Sequence, residues 1–205
     1  SLLHDMRLAS RYGEDLVPTV AGMLLFGKGT AVAKRVPQSP LIARRVTGVP
    51  PDDQVVEQIE YVGDLASVFD RTVQFVERYA DLWDVRPRRR GASPVAARPY
   101  FPRGPVLEAL ANALVHRDYA QHGPVRVTLY DDRLDLLNPA PDAGLTRRSL
   151  RLGVREPTNP RLKGIFHGDA YGVARATGGV PMILRATREF TRGDTARFAI
   201  GNDTF

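Results

Sequence analysis

One segment near the middle of the chain carries side chains that could support catalysis. Between Val106 and Val115 the polar residues are Glu108 and Asn112, and His116 follows four residues after Asn112. Residues four apart stack on one stripe of an α-helix, so the segment predicts a carboxylate, an amide and an imidazole in one row. A carboxylate in apolar surroundings can act as a general base, and an amide oxygen is a hard ligand suited to Mg²⁺.

A purely structural interpretation accounts for the same row. The segment is apolar on nearly every side, which is typical of a helix buried in a core. Burying a carboxylate and an amide is costly unless the groups are paired or bind something. Glu108 and Asn112 could therefore be bonded to neighbouring backbone or to an arginine, and the residues alone leave both interpretations open.

A second candidate, GMLLFGKGT at residues 22–30, differs by one position from a phosphate-binding P-loop. Gly22, Gly27 and Lys28 fit the pattern, but Gly29 stands where a serine or threonine hydroxyl is required. Residues 23–26 are large and apolar, whereas a P-loop needs open backbone amides. We therefore predict a helix over 18–26 that is capped by glycine and mostly buried at 23–26, with no phosphate contact by Lys28.

The composition restricts the class of protein and its partners. The 205 residues are 43% hydrophobic and 25% charged, which suits one or two folded domains. The absence of cysteine excludes disulfides and thiolate metal sites and fits a cytoplasmic protein. The net charge of +6, mostly from arginine, permits contact with DNA, although a GC-rich genome also produces arginine bias. No apolar run reaches the roughly 18 residues of a membrane span, so we expect no membrane partner.

Hydrophobic periodicity organises the first half of the chain. Residues 41–46 are predicted as a strand. Residues 64–83 place apolar side chains at steps of three and four, which predicts an amphipathic helix. The segment 84–104 is rich in proline and arginine and is interpreted as an extended linker. We accordingly expect a connecting α/β region over 1–98 and a second domain over 99–205.

The second half predicts a hairpin covered by helices. Residues 125–129 and 133–137 alternate between apolar and polar, and Asp131-Asp132 provides a two-residue connection. The helix that carries Glu108 should pack on the apolar face of this hairpin. A helix is predicted over 181–188 and a closing strand over 196–200. The expected fold is α/β in the α+β sense, with helices on one face of a mixed, largely antiparallel sheet.

The second half also resembles a known family. Four segments, EALANALVHRDY, DDRLDLLNP, TNPRL and TGGVPMILRA, are similar in sequence and order to bacterial transcriptional regulators named after the C-terminal part of an ATP-dependent helicase. That family is a divergent branch of the GHKL ATPases, which include gyrase B, MutL and the histidine kinases. Residues 16–28 resemble the stretch after an AlbA-type, Schlafen-like DNA-binding module, so we expect such a module before Ser1 and DNA contact through it.

The resemblance implies roles for the polar row and a GHKL-like sandwich as the fold. In GHKL proteins the glutamate of E-x-x-x-N activates the attacking water, and the asparagine ligates the Mg²⁺ of bound Mg-ATP. Glu108 and Asn112 match these positions, and His116 lies one turn further along the same pocket. Asn138 falls where an aspartate recognises adenine. Gly178 and Gly179 fall where backbone amides cradle the phosphates.

Several positions depart from the GHKL pattern. Asn138 replaces the adenine-binding aspartate, Ala140 and Asp142 stand where small flexible residues are expected, and Gly178-Gly179-Val180 is a shortened glycine box. Asp142 adds negative charge near a polyphosphate, which opposes binding. The expected function is a transcriptional regulator whose domain senses or slowly hydrolyses Mg-ATP. The alternative is a non-catalytic structural or dimerisation domain of a DNA-binding regulator with a silent pocket, and a homo-oligomer is compatible with either.

Overall fold

The computed structural model describes residues 1–48, 52–87, 98–139, 146–153, 158–166 and 178–200. Within these residues the helices are α1 (Leu2–Asp5), α2 (Val20–Phe26), α3 (Gly29–Arg35), α4 (Leu65–Tyr79), α5 (Arg103–Val115), α6 (Arg147–Leu152), α7 (Pro160–Phe166) and α8 (Gly179–Thr191). The strands are β1 (Ala9–Tyr12), β2 (Asp15–Pro18), β3 (Leu41–Thr47), β4 (Gln54–Tyr61), β5 (Asp81–Trp83), β6 (Tyr100–Pro102), β7 (Val125–Leu129) and β8 (Leu134–Leu137).

A four-stranded sheet in the order β4-β3-β7-β8 forms the centre of the fold. β3 pairs antiparallel with β4 and parallel with β7, and β7 pairs antiparallel with β8. The backbone N–H of Tyr130 donates to the carbonyl of Arg133 at 2.9 Å, so Asp131 and Asp132 form the predicted two-residue connection. The predicted fold class and hairpin are therefore confirmed. Both segments expected from the sequence, 1–98 and 99–205, contribute strands to this sheet.

One face of the sheet carries the hydrophobic core. Ala43 lies opposite Val127, and both side chains are fully buried. The neighbouring residue on β7, Arg126, points to the other face and is exposed, as strand alternation requires. α4 and α5 cover the apolar face, and their buried residues belong to the same core cluster as those of β3 and β7. The position of α5 is therefore fixed by packing against the sheet, as predicted.

The long amphipathic helix is shorter than predicted. α4 begins after Asp64, whose side chain accepts a hydrogen bond from the backbone N–H of Ser67 at 2.9 Å. The helix ends at Tyr79 instead of residue 83, because the backbone at Ala80 is extended. Residues 81–83 then form β5, which pairs parallel with β6. The apolar steps continued past the end of the helix because β5 also carries apolar side chains, so periodicity alone did not show the boundary.

The P-loop-like segment is helical, with one correction at its start. α2 begins at Val20 and is capped by Thr19, so Pro18 lies in β2 and not in the first helical turn. Leu24 and Leu25 are buried and Met23 is half-buried, as predicted for most of this stretch, but Phe26 is 58% exposed. A Cβ at Gly22 would lie 2.1 Å from the carbonyl oxygen of Leu8, so close packing against the backbone requires this glycine.

Further strand assignments differ from the sequence-based expectation. β4 was missed because its apolar residues do not alternate cleanly, and the register with β3 shifts at a bulge. The predicted strand over 196–200 is wrong, since residues 194–200 form no strand. The hydroxyl of Thr195 donates to the carbonyl of Leu184 at 3.1 Å, which holds the start of this segment against α8. The expected linker 84–104 contains β6 and the start of α5, and residues 88–97 lie outside the described residues.

Candidate functional site

The carboxylate of Glu108 lies at the contact between α5 and α8. α5 packs against the sheet on one side and against α8 on the other, so Glu108 is only 2% exposed. Its Oε1 accepts a hydrogen bond from the side-chain N–H of Asn112 at 3.1 Å and another from the backbone N–H of Gly179 at 2.8 Å. The predicted row is therefore real for the first two of its members. Glu108 also contacts Gly179, the first residue of α8, which lies 71 positions further along the chain.

The start of α8 has the backbone geometry that two glycines permit. Gly179 has a φ of +54°, in the left-handed region that other residues adopt only with strain. A Cβ at Gly178 would lie 2.6 Å from the Cβ of Met182 in the first turn of α8. Gly178 offers no side chain to cap the helix. The carboxylate of Glu108 fills that role and lies at the positive end of the helix dipole.

Two buried polar side chains at this site have atoms without a hydrogen-bond partner among the described residues. One is the Oε2 of Glu108. The other is the amide of Asn138, whose oxygen and nitrogen both lack a partner although the residue is only 3% exposed. Each buried polar group left unpaired costs about 1–3 kcal/mol. Such groups are therefore uncommon unless they serve a ligand or an internal water.

Asn138 faces the side of the sheet on which α5 lies. Leu134 and Leu136 both pack against the core from β8, and Asn138 is the next residue of the same parity. The backbone N–H of Asp118 donates to the carbonyl of Pro139 at 3.0 Å, which ties the end of β8 to the residues that follow α5. No hydrogen bond of the described residues joins Asn138 to Glu108.

Another predicted site residue, His116, lies at the C-terminal end of α5. His116 is the C-cap of α5, with a half-buried side chain, and its backbone N–H donates to the carbonyl of Asn112 at 2.9 Å. It therefore lies beyond the last full turn of the helix. Ala140 and Asp142 lie outside the described residues. The structure thus brings Glu108, Asn112 and Gly179 into direct contact, with Gly178 beside them.

Sequence reasoning missed the residue that organises the turn after α5, residues 116–123, here named the α5 turn. Arg117 is fully buried, and its guanidinium donates to the backbone carbonyls of Asp118, Gln121, Gly123 and Gln38. Burial lowers the pKa of this arginine. An arginine next to a nearly all-apolar helix was the available signal, but its partners are carbonyls, which sequence does not reveal.

Two further side chains complete the α5 turn. The hydroxyl of Tyr119 donates to the carbonyl of Leu114 at 2.9 Å, and burial raises the pKa of this tyrosine above its ordinary value. The side-chain N–H of Asn159 donates to the carbonyls of Val115 at 2.8 Å and Arg117 at 2.7 Å. The segments NALVHRDY and TNPRL are thus joined at the C-terminal end of α5, where helix carbonyls need donors.

Other features of the described chain lie apart from the α5–α8 contact. A surface cavity of about 400 Å³ is lined by exposed residues that include His4, Arg7 and Arg161, and none of its lining residues belongs to the α5–α8 contact. The described residues contain no group of three or more side chains placed to hold a metal ion. Among the described helices, none is both long and apolar enough to cross a membrane.

The fold and site define an α+β domain with a buried carboxylate at the junction of two helices. Comparison with solved structures finds the crystal structure of the DIP2311 protein from Corynebacterium diphtheriae, with a TM-score of 0.58 and 18% sequence identity. The similarity covers 90% of this chain and 33% of that chain, so this chain spans about a third of the solved protein. At this identity the likeness shows the fold alone. No protein-family model matches the chain, and none of the curated proteins compared with it matches either.

Proposed function

We propose that this chain is the nucleotide-binding domain of a bacterial transcriptional regulator and that it binds Mg-ATP among α5, the end of β8 and the start of α8. The observation that carries the proposal is the amide of Asn138, which is buried and has neither a donor nor an acceptor partner in the described part of the chain. A buried amide without partners is costly to the free protein, so a ligand that satisfies both of its atoms would bind with a matching gain.

The chemistry of an amide suits adenine. An asparagine presents one acceptor and two donors, and it can make two parallel hydrogen bonds to an adenine edge that presents a donor beside an acceptor. At its N7 edge adenine presents an acceptor beside a donor, whereas guanine presents two acceptors, so the same amide would discriminate against guanine at that edge. The resemblance to GHKL proteins assigns the same position to adenine recognition. Asn138 therefore supports an adenine nucleotide as ligand.

The groups on α5 suit the phosphate end of the nucleotide. The side-chain nitrogen of Asn112 donates to Glu108, so the Oδ1 of Asn112 remains for Mg²⁺. The Oε2 of Glu108 has no partner within the described ranges and is the oxygen that would accept a proton from an attacking water. Bound Mg²⁺ would neutralise phosphate charge and polarise the terminal phosphate. The proposal assigns Asn112 to metal binding and Glu108 to slow hydrolysis.

Isothermal titration of Mg-ATP tests the proposal with three proteins. We expect the wild type to bind with a dissociation constant in the high micromolar range, and Asn138→Leu to weaken binding at least about tenfold. Gln54→Leu provides a matched control, because it makes the same replacement of an amide at an exposed position on the edge strand β4. Titration with Mg-GTP should give weaker binding than Mg-ATP. Equal affinity of the wild type and Asn138→Leu would refute the proposal.

A second candidate function is a non-catalytic interaction domain with a silent pocket. The observation in its favour is that the Oε1 of Glu108 already accepts two hydrogen bonds from the protein, which is how a purely structural carboxylate is satisfied. A ligand that binds only the folded protein must raise its melting temperature. An unchanged melting temperature of the wild type at millimolar Mg-ATP would favour this second candidate.

Contact with DNA and self-association remain proposals about the longer protein. The similarity of residues 16–28 to the stretch after a DNA-binding module, and the net charge of +6, support DNA as a partner of the regulator. In this proposal, nucleotide binding changes the DNA affinity of that module or the association of the chain with a second copy.

A further inference from the structure

The backbone N–H at the start of α8 that could bind a phosphate already donates a hydrogen bond to a side chain of the same protein. α8 has 13 residues, and its first backbone N–H groups form the positive end of the helix dipole. Gly179 donates its N–H to the Oε1 of Glu108 at 2.8 Å. An anion brought to this position would therefore meet the carboxylate of Glu108, which is 2% exposed and held from the neighbouring helix.

We propose that Glu108 is an internal anion that occupies the N-terminus of α8 and must move away before a phosphate group can bind there. The inference rests on the proposed function for the identity of the natural ligand, and it adds an autoinhibitory control to that site. Because Glu108 is a competing carboxylate, its removal should tighten the binding of anions.

Electrostatics makes the two anions mutually exclusive. Two negative charges about 4 Å apart in a partly buried site repel each other by several kcal/mol at the effective dielectric constant of protein surfaces. A phosphate oxygen that accepts the Gly179 N–H would lie within this distance of the Glu108 carboxylate, since both would contact the same amide. The phosphate therefore binds only after the Glu108–Gly179 contact opens.

The same geometry indicates that the contact can open. The Oε2 of Glu108 has no hydrogen-bond partner among the described residues, so the carboxylate is held through one oxygen only. Its second donor is Asn112, on the same helix, which can move with it. Gly178 and Gly179 can change backbone angles at low cost because they have no Cβ. A fully bonded carboxylate between rigid residues would lack this freedom.

The first experiment uses inorganic pyrophosphate without a divalent metal, so that the metal role of Asn112 does not enter. Glu108→Gln keeps the size and an acceptor oxygen but removes the charge. We expect Glu108→Gln to bind pyrophosphate about tenfold more tightly than the wild type by isothermal titration, since a charge-assisted hydrogen bond no longer competes. Glu108→Ala, which removes the acceptor as well, should bind at least as tightly as Glu108→Gln.

Glu189→Gln is the matched control, because it removes the same charge from an exposed position near the other end of α8. It should bind pyrophosphate like the wild type. The amide resonance of Gly179 gives a direct readout: pyrophosphate should move it in each protein, and Glu108→Gln should need about tenfold less ligand. Tighter binding in Glu189→Gln as well would show a general charge effect and overturn the proposal.

The outcomes separate this inference from the proposed function. Equal or weaker pyrophosphate binding by Glu108→Gln overturns the inference, and so does no binding by any variant. If Mg-ATP binding still depends on Asn138, the proposed function survives that result. If Glu108→Gln binds pyrophosphate more tightly while Asn138→Leu leaves Mg-ATP binding unchanged, the inference stands and the proposed adenine site fails.

Discussion

Two groups of buried polar side chains lie on α5 and around its C-terminal end, and they differ in how completely they are hydrogen-bonded. In the α5 turn, the fully buried Arg117 donates to four backbone carbonyls through Nη1 and Nη2, while its Nε has no partner among the described residues. At the end of β8, Asn138 is nearly as buried, and no described residue bonds to either of its amide atoms. Glu108 is intermediate, since one oxygen accepts two hydrogen bonds and the other accepts none from the residues that the structure describes.

This difference in hydrogen bonding distinguishes a residue that stabilises the fold from the residues of the candidate site. The partners of Arg117 include Gln38, which is 79 positions away, so this one side chain fixes the turn relative to the segment before β3. These hydrogen bonds form when the protein folds, so few donors of Arg117 remain for a ligand. Asn138 and Glu108 are buried and keep polar atoms that no described residue bonds, which lowers the stability of the free protein. A buried polar group that the fold does not satisfy is therefore the better indication of function.

Removing Arg117 should have the largest effect on stability. Arg117→Met keeps the length of the side chain but leaves four partly buried carbonyls without this donor, and we expect a loss of about 4 kcal/mol of unfolding free energy. Urea unfolding followed by circular dichroism would measure it. Arg117→Lys retains the charge but cannot reproduce the planar fork, so it should recover less than half of the loss. A loss below about 1 kcal/mol in Arg117→Met would show that Arg117 does not hold the α5 turn in place.

Asn159→Ala should have the next largest effect. It removes one side-chain nitrogen that bridges the carbonyls of Val115 and Arg117. We expect a loss of about 2 kcal/mol, measured by the same urea titration, because both acceptors lie at the end of a buried helix. Affinity for Mg-ATP should change little when measured well below the melting temperature. A large loss of affinity at unchanged stability would instead place Asn159 in the ligand site.

Asn138→Leu should act in the opposite direction. It replaces an unpaired buried amide with an apolar side chain of similar size, so the free protein should gain about 1 kcal/mol of stability. For a chain of this length the gain corresponds to a rise in melting temperature of about 3 °C. Differential scanning calorimetry without nucleotide would detect it. A destabilised Asn138→Leu would show that the fold does satisfy this amide.

The sequence was sufficient for the elements whose pattern is local. The hairpin of β7 and β8 and the all-round burial of α5 follow from alternation and from an apolar run. The parallel pairing of β3 with β7 could not be predicted, because it joins distant segments and depends on a register that no local pattern specifies. β4 was missed for a related reason, since its bulge breaks the alternation that identifies strands.

The candidate site was predictable in part. Glu108 and Asn112 were identified because two polar residues four apart stand out in an apolar helix. The partner of Glu108 was not identified, because a backbone N–H is present at every non-proline residue and leaves no trace in the sequence. Arg117 was missed for the same reason, since all of its acceptors are carbonyls. Side-chain chemistry can be inferred from sequence, but the backbone groups that it meets require the fold.

The smallest expected effect concerns a second buried cation, Arg45. Its guanidinium donates to the carbonyls of Val46 and Leu129 and to the carboxylate of Asp131, which is about half exposed. Asp131→Asn keeps an acceptor and leaves both carbonyls in place, so the loss of stability should be below about 1 kcal/mol in urea unfolding at pH 7. A loss as large as that in Arg117→Met would show that charge, and not backbone acceptors, holds the buried arginines.

The pH dependence of the unfolding free energy tests the direction of the pKa shift of Asp131. The hydrogen bond from Arg45, followed by that from the N–H of Gly48, lowers the pKa of Asp131 from its ordinary value of 3.8. The unfolded chain therefore binds the proton first as the pH falls, and the contribution of Asp131 is present above pH 4 and lost below it. The difference in unfolding free energy between wild type and Asp131→Asn should shrink steadily from pH 5 to pH 3. A difference that grows over this range would mean that the folded protein raises this pKa, and the Arg45–Asp131 contact would then be wrong.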